Sequence, residues 1–262
     1  MYSPVTTLID RIDSSHLSDY GVIPWSAPVP FFGDIETAEL ATVGINPSNR
    51  EFLDAAGGEL DGEQRRLPTL RSLGLKSWGE FDTDHLRVII DTCRRYFRNR
   101  PYDRWFSVLE RVLAGTNATF YGLHPTACHL DIVPYATHHK WTGLMSHQRR
   151  ALLENSTDAL GLLLRESDIQ LLVLNGRSVL NYFSEISDSE LTPCLMPRWQ
   201  LARNGLKPLI GVAYLGEVRG LGHVDLGRRV KVVGYNHNLQ SSFGVTRDVV
   251  DEVASWLGSV RE

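Results

Sequence analysis

The chain has 262 residues, 42% hydrophobic and 22% charged, with a formal net charge of −4. This is the composition of a soluble globular protein, long enough for one large α/β domain or two small ones. The acidic balance argues against bulk, sequence-blind nucleic-acid binding, and three widely separated cysteines (Cys93, Cys128, Cys194) argue against a disulfide framework, a zinc site or an iron–sulfur cluster. No apolar run approaches the roughly 20 residues of a membrane span. Met1-Tyr2-Ser3-Pro4 does not open a signal peptide, so a cytoplasmic chain without membrane contact is expected.

In chain order, residues 23–33 carry Pro24, Pro28 and Pro30 and read as turn-rich. The apolar run at 40–45 has the pattern of a buried strand. Asn46-Pro47-Ser48 stops it: Pro47 lacks a ladder donor and biases Asn46 towards an extended conformation, presenting the Asn46 side chain at the strand's carboxyl end. Asn-Pro-Ser is also ordinary turn chemistry. Residues 53–80, rich in Gly, Asp and Arg, read as a long loop with short helical pieces, a length usually functional or mobile. The spacing predicts helices over 83–97 and 103–114. Leu86, Ile89, Ile90 and Cys93 form one apolar face, and Trp105, Val108, Leu109 and Val112 the other. A second strand is expected at 126–133, a long helix at 146–165, a strongly buried strand at 169–174 and a helix opening at 178–183. Two late strands at 209–218 and 229–235 are joined by a glycine-rich turn, and a last helix covers 246–257. Strands alternating with helices predict an α/β fold, one domain over 1–262: a three-layer α/β/α sandwich with a mostly parallel central sheet.

Arginine is unevenly distributed. Arg94, Arg95, Arg98, Arg100 and Arg104 crowd one segment, and Arg149-Arg150 and Arg228-Arg229-Lys231 form two further clusters. Interleaved with Tyr96, Phe97, Tyr102, Trp105 and Phe106, they are candidates for a phosphate-tracking surface; an ordinary solvated face is the alternative for each. His138-His139 and His147 have no carboxylate or thiol at a supporting spacing, so neither metal nor cofactor is expected.

Four predicted strands end in chemically capable residues. The endings are Asn46; His129-Leu130-Asp131-Ile132-Val133-Pro134-Tyr135; Asn175-Gly176-Arg177-Ser178; and Tyr235-Asn236-His237-Asn238-Leu239-Gln240-Ser241-Ser242. Ligands of open α/β sheets bind at the carboxyl ends of the strands, and four such endings at one edge would build a pocket of amides, a carboxylate and an imidazole.

This arrangement resembles the uracil-DNA glycosylase superfamily. Gly44-Ile45-Asn46-Pro47-Ser48 is similar to its first motif in the Asn-bearing form, as in mismatch-specific uracil glycosylases. Tyr235-Asn236-His237-Asn238-Leu239 falls where the second motif is expected, although both of that motif's prolines are missing. Residues 130–141 look like the segment that reads the base, and Val173-Leu174-Asn175-Gly176-Arg177 resembles a later strand-to-helix turn. The likeness spans roughly residues 20–257.

The resemblance implies a DNA glycosylase; the apparent motifs offer no lysine as a Schiff-base nucleophile, so a monofunctional enzyme is expected, and a monomer. Such an enzyme flips a base out of DNA and hydrolyses its N-glycosidic bond, leaving an abasic site. Asn46 would position the water through its amide oxygen. His237 would donate to the leaving base, a contact worth on the order of 3 kcal/mol. Gly44, Ile45, Pro47, Ser48, Asn236 and Asn238 would shape the site, with Phe52, Phe32 or Phe31 stacking on the base. Leu239 or Gln240 would wedge into the duplex, with Ser241, Arg177 and Lys140 also contacting DNA.

At Asp131, uracil-specific relatives resemble an Asn. An ionised Asp only accepts hydrogen bonds, which suits the amino group of cytosine. If burial protonated Asp131, it would also donate to cytosine N3. The expected substrate is therefore a modified cytosine of foreign (phage) DNA, with the 53–80 loop enlarging the pocket. The alternatives are a uracil or mismatch glycosylase of base-excision repair, a non-catalytic DNA-binding module of the same fold, and a hydrolase of small nucleosides or nucleotides.

Overall fold

The computed structural model describes residues 2–99, 101–203, 205, 207–240 and 242–261. Six strands form one sheet: β1 (Leu40–Gly44), β2 (Ala127–Asp131), β3 (Leu171–Asn175), β4 (Thr192–Leu201), β5 (Leu209–Leu221) and β6 (Val224–Tyr235), in the order β2-β1-β3-β6-β5-β4. The pairs β1–β2, β1–β3 and β3–β6 are parallel, and β6–β5 and β5–β4 are antiparallel. The fold is thus α/β with a mixed, mostly parallel sheet. β1, β2 and β3 are buried along their whole length, as parallel strands covered on both faces must be.

Eight α-helices accompany the sheet among the described residues: α1 (Tyr2–Ser14), α2 (Leu70–Leu73), α3 (Thr83–Arg94), α4 (Asp103–Leu113), α5 (Ser146–Glu154), α6 (Thr157–Arg165), α7 (Arg177–Ile186) and α8 (Arg247–Arg261). The apolar faces of α3 and α4 are buried largely as the spacing predicts, at Leu86, Ile89, Ile90 and Cys93 and at Leu109 and Val112; Trp105 and Val108 are only half-buried. α6 packs on β5 and β6, α7 on β3 and β6, and α8 on β4 and α4. One buried cluster runs from Val5 to Leu257.

Three elements differ from expectation. The helix predicted over 146–165 is two helices. Asn155 Nδ2, Ser156 Oγ and Thr157 Oγ1 donate to the carbonyls of Ala151, Leu152 and Leu153, and such side chains compete with backbone pairing. β4 and α1 have no counterpart in the sequence reading. β4 contains Pro193 and Pro197 and lies at the sheet edge, where proline is tolerated. β5 and β6 form a long hairpin closed by Gly222-His223, with Gly222 at φ 61°, as a two-residue turn requires.

No helix of the described residues is long and apolar enough to cross a membrane. Cys93, Cys128 and Cys194 are free thiols.

Candidate functional site

The strand order creates the site. The chain runs from β1 to β2 on one side, then crosses to β3 on the other. The crevice beyond the carboxyl ends of β1 and β3 is therefore a topological switch point. Gly44 is in register with Asp131, and Asn175 with Tyr235. The four polar endings thus share one sheet edge, as the sequence predicts.

A cleft of about 540 Å³ opens there. Its walls include Gly44 to Asn49, Trp105, Thr137, Lys140, Trp141, Asn175 to Val179, Asn236 and Asn238. Behind it lies a smaller chamber of about 60 Å³, lined by Phe32, Glu51, Tyr102, Trp105, Phe106, His129 and Asp131. Asn46, Pro47, Ser48 and Trp105 border both spaces, so Asn46 stands at the throat between them.

The amide of Asn46 is oriented by its neighbours. Its Nδ2 donates to Thr137 Oγ1 at 3.1 Å and to the Tyr135 and Pro47 carbonyls at 3.3 Å. A carbonyl only accepts, so nitrogen must face this side. Thr137 Oγ1 itself donates to the His139 carbonyl at 2.7 Å. Asn46 Oδ1 has no hydrogen-bond partner among the described residues and remains available as an acceptor. Backbone bonds from Ile132 to Gly44 and from Val133 to Ile45 hold the elbow against the β2 segment. Ser48 Oγ accepts from Arg50 N, fixing the turn that carries Glu51.

The chamber wall is polar at one end. Thr42 Oγ1 lies 2.7 Å from His129 Nδ1, and His129 Nε2 lies 3.4 Å from Asp131 Oδ1. Glu51 is buried, and its Oε2 accepts from the Tyr96 hydroxyl at 2.7 Å. Burial pushes the Glu51 carboxyl up to about 7, and the charge of Asp131 adds to this; the Tyr96 bond and Arg66 oppose it.

Several predicted residues fall elsewhere. His237 is 0% exposed and does not line the cleft; its Nε2 sits 2.6 Å from the Trp199 carbonyl. Nε2 therefore carries the proton, leaving Nδ1 unprotonated and without a partner. Burial also lowers the ring's proton affinity. The expected contact from His237 to the leaving base is thus corrected. Phe52 is buried edge-on against Trp25, and Phe31 is fully buried; neither borders cleft or chamber, whereas Phe32 does. Leu239 is only 4% exposed and packs in the core, which corrects its wedge role. Gln240 accepts from Asn175 Nδ2, and Ser241 lies outside the described residues. Asn236 borders the cleft, but its amide is tied to the backbone of Ile210 and Val212. Arg177, Lys140 and Asn238 are exposed at the cleft.

The arginine clusters are largely engaged internally. Arg94 pairs with Glu36, Arg228 donates to the carbonyls of Leu164, Ser167 and Ile169, Arg229 pairs with Glu217, and Lys231 bonds the Val260 carbonyl. Arg100 lies outside the described residues. The 53–80 loop contributes no residue to the chamber; part of it lines a separate groove with Arg65, Arg66 and Arg98. Among the described residues, no three His, Cys, Asp or Glu side chains converge to hold a metal.

Glu51 was not singled out by the sequence; Tyr102 entered only among the aromatics between the arginines, and His129 only as the start of a polar strand ending. Glu51 is buried, and its hydrogen-bond partner Tyr96 lies 45 positions later in the chain. Its adjacency to the Asn46 elbow was the available signal. No protein-family model and no curated protein matches the chain.

Proposed function

We propose that the protein is a monofunctional DNA glycosylase that accepts a flipped, non-canonical base and hydrolyses its N-glycosidic bond. Asn46 carries this proposal: its nitrogen is anchored, its oxygen is unengaged, and it stands between an open cleft and an aromatic-walled chamber. In this scheme the DNA strand occupies the cleft, near Lys140 and Arg177. The base passes Asn46 into the space between Phe32, Tyr102, Trp105 and Phe106, and Asn46 Oδ1 positions the attacking water at the sugar C1′. Correct placement of such a water supplies a large part of a hydrolytic rate enhancement. The likeness of Gly44-Ile45-Asn46-Pro47-Ser48 to the first uracil-DNA glycosylase motif supports the same chemistry, and the three-layer α/β/α form of that superfamily belongs to the proposal.

Phe243 is 71% exposed on the loop that follows β6, between cleft residues Asn238 and Ser242 and α8. It takes the wedge role expected of Leu239. A modified cytosine, as in foreign DNA, is the proposed substrate, because Asp131 accepts but does not donate when ionised; a substituent on the base would extend towards the larger cleft.

The test is incubation with duplexes containing uracil, a thymine mismatch or 5-substituted cytosines, followed by assay of abasic sites. Abasic sites from a substituted cytosine are expected. Asn46→Ala is expected to abolish them, by about a hundredfold or more, while DNA binding persists. Binding without any product from the parent protein would favour the non-catalytic module.

A further inference from the structure

Two buried carboxyl groups line one small chamber, and the fold engages only part of each. Tyr102 N–H donates to the Tyr96 oxygen at 2.9 Å, so the Tyr96 proton is directed to Glu51 Oε2 at 2.7 Å. A proton on Glu51 therefore resides on Oε1, which has no hydrogen-bond partner among the described residues. Asp131 Oδ1 lies beside His129 Nε2 and the bare Cα of Gly44, and Oδ2 is likewise unengaged. The groups that act on Glu51 come from three directions. Tyr96 follows α3, Arg66 approaches from the 53–80 loop and also lies over the Tyr102 ring, and Asp131 ends β2 with His129 behind it. Removal from water outweighs the rest and favours a neutral Glu51.

We propose that Glu51 and Asp131 act as a one-proton pair that selects a cytosine-type base and assists its departure: Glu51 Oε1–H donates to N3, and ionised Asp131 accepts from the adjacent amino group. This rests on the glycosylase function proposed above. Uracil and thymine present the reverse pattern, an N3–H and a carbonyl, which would place N3–H against the Glu51 proton and a carbonyl against the Asp131 carboxylate. Adenine shares the amino-bearing pattern but carries a second ring, and a chamber of about 60 Å³ would have to open further for it than for a pyrimidine.

The pair also supplies what His237 cannot. As the C1′–N1 bond breaks, its electron pair passes to the base and the Glu51 proton passes to N3. The base leaves as neutral cytosine rather than as an anion. The water at Asn46 forms the C1′–O bond, and the proton it loses returns through solvent to Glu51. An acid that titrates near the working pH is well matched to this transfer.

The test is single-turnover release of base between pH 5.5 and 9 from duplexes carrying 5-substituted cytosines, uracil or adenine. Cytosine-type release should fall about tenfold per pH unit once Glu51 ionises, above about 7. Glu51→Gln keeps the Tyr96 contact and an N–H donor but has no proton to give. Its release should be at least about a hundredfold slower and flat over the same range. Tyr96→Phe removes a bond that favours the carboxylate and should move the descending limb to higher pH. A flat parent profile, the same limb in Glu51→Gln, or preference for uracil or adenine overturns the pair while leaving the glycosylase intact. No release from any duplex overturns the glycosylase itself, and the pair with it.

Discussion

A Cβ at Gly44 would stand 2.3 Å from Asp131 Oδ1 and 2.9 Å from His129 Nε2, so the absent side chain is what lets this acidic corner approach β1. Gly44→Ala should displace Asp131 and cost about 2 kcal/mol in stability, the usual scale of overpacking. Urea unfolding checks this, and base release should fall alongside. Glu51 makes a second prediction. Its folded value near 7 lies above its ordinary 4.5, so between these pH values the folded state holds a proton that the unfolded chain has lost. The contribution of Glu51 to stability is therefore fullest at and below about pH 4.5 and is lost as pH rises through 7, by about 3 kcal/mol at most. Glu51→Gln should remove that decline: measured by urea unfolding, parent and variant should be closest at pH 4.5, with the variant gaining on the parent by pH 8.

At the scale of elements, β1, β2, β3 and most helices were legible because their signals are local: apolar runs, a 3.6-residue period, and the stop at Asn46-Pro47. The four polar strand ends were legible for the same reason. What escaped depends on distant partners. Pro193 and Pro197 hide β4, which exists because β5 supplies its ladder. His237 reads as a catalytic donor until Trp199 on β4 takes its Nε2. Arg228 reads as part of a basic cluster, yet it closes the carboxyl end of α6 by donating to three carbonyls at 2.6–3.0 Å. Arg228→Ala should lower stability by about 2 kcal/mol without changing release of base. On the loop after β6, Leu239 turns inward and Phe243 outward, which is why the proposed wedge is Phe243. Phe243→Ala should weaken binding to duplex DNA carrying an abasic site, measured by fluorescence anisotropy, and leave single-strand binding unchanged.

For the whole molecule, charge and topology set what the proposed DNA interaction should look like. The net charge is −4, and several of the clustered arginines neutralise carboxylates or cap carbonyls within the fold. Few cations remain at the cleft, chiefly Lys140 and Arg177. Binding should therefore show a shallow salt dependence, with a slope of log K against log salt of roughly −2; a slope several times steeper would place DNA on another surface. The switch point between β1 and β3 puts the Asn46 elbow, the acidic chamber and these cations within one crevice. The central claim is that water is delivered at Asn46 to the sugar carbon and not to the base. It is tested most directly by running the reaction in ¹⁸O-labelled water on a duplex containing a 5-substituted cytosine and analysing both products by mass spectrometry. The account predicts an unlabelled free base and ¹⁸O at C1′ of the abasic sugar when that sugar is trapped by rapid reduction before its aldehyde exchanges with solvent, both lost in Asn46→Ala. Label in the base, or no free base from the parent protein, would contradict it.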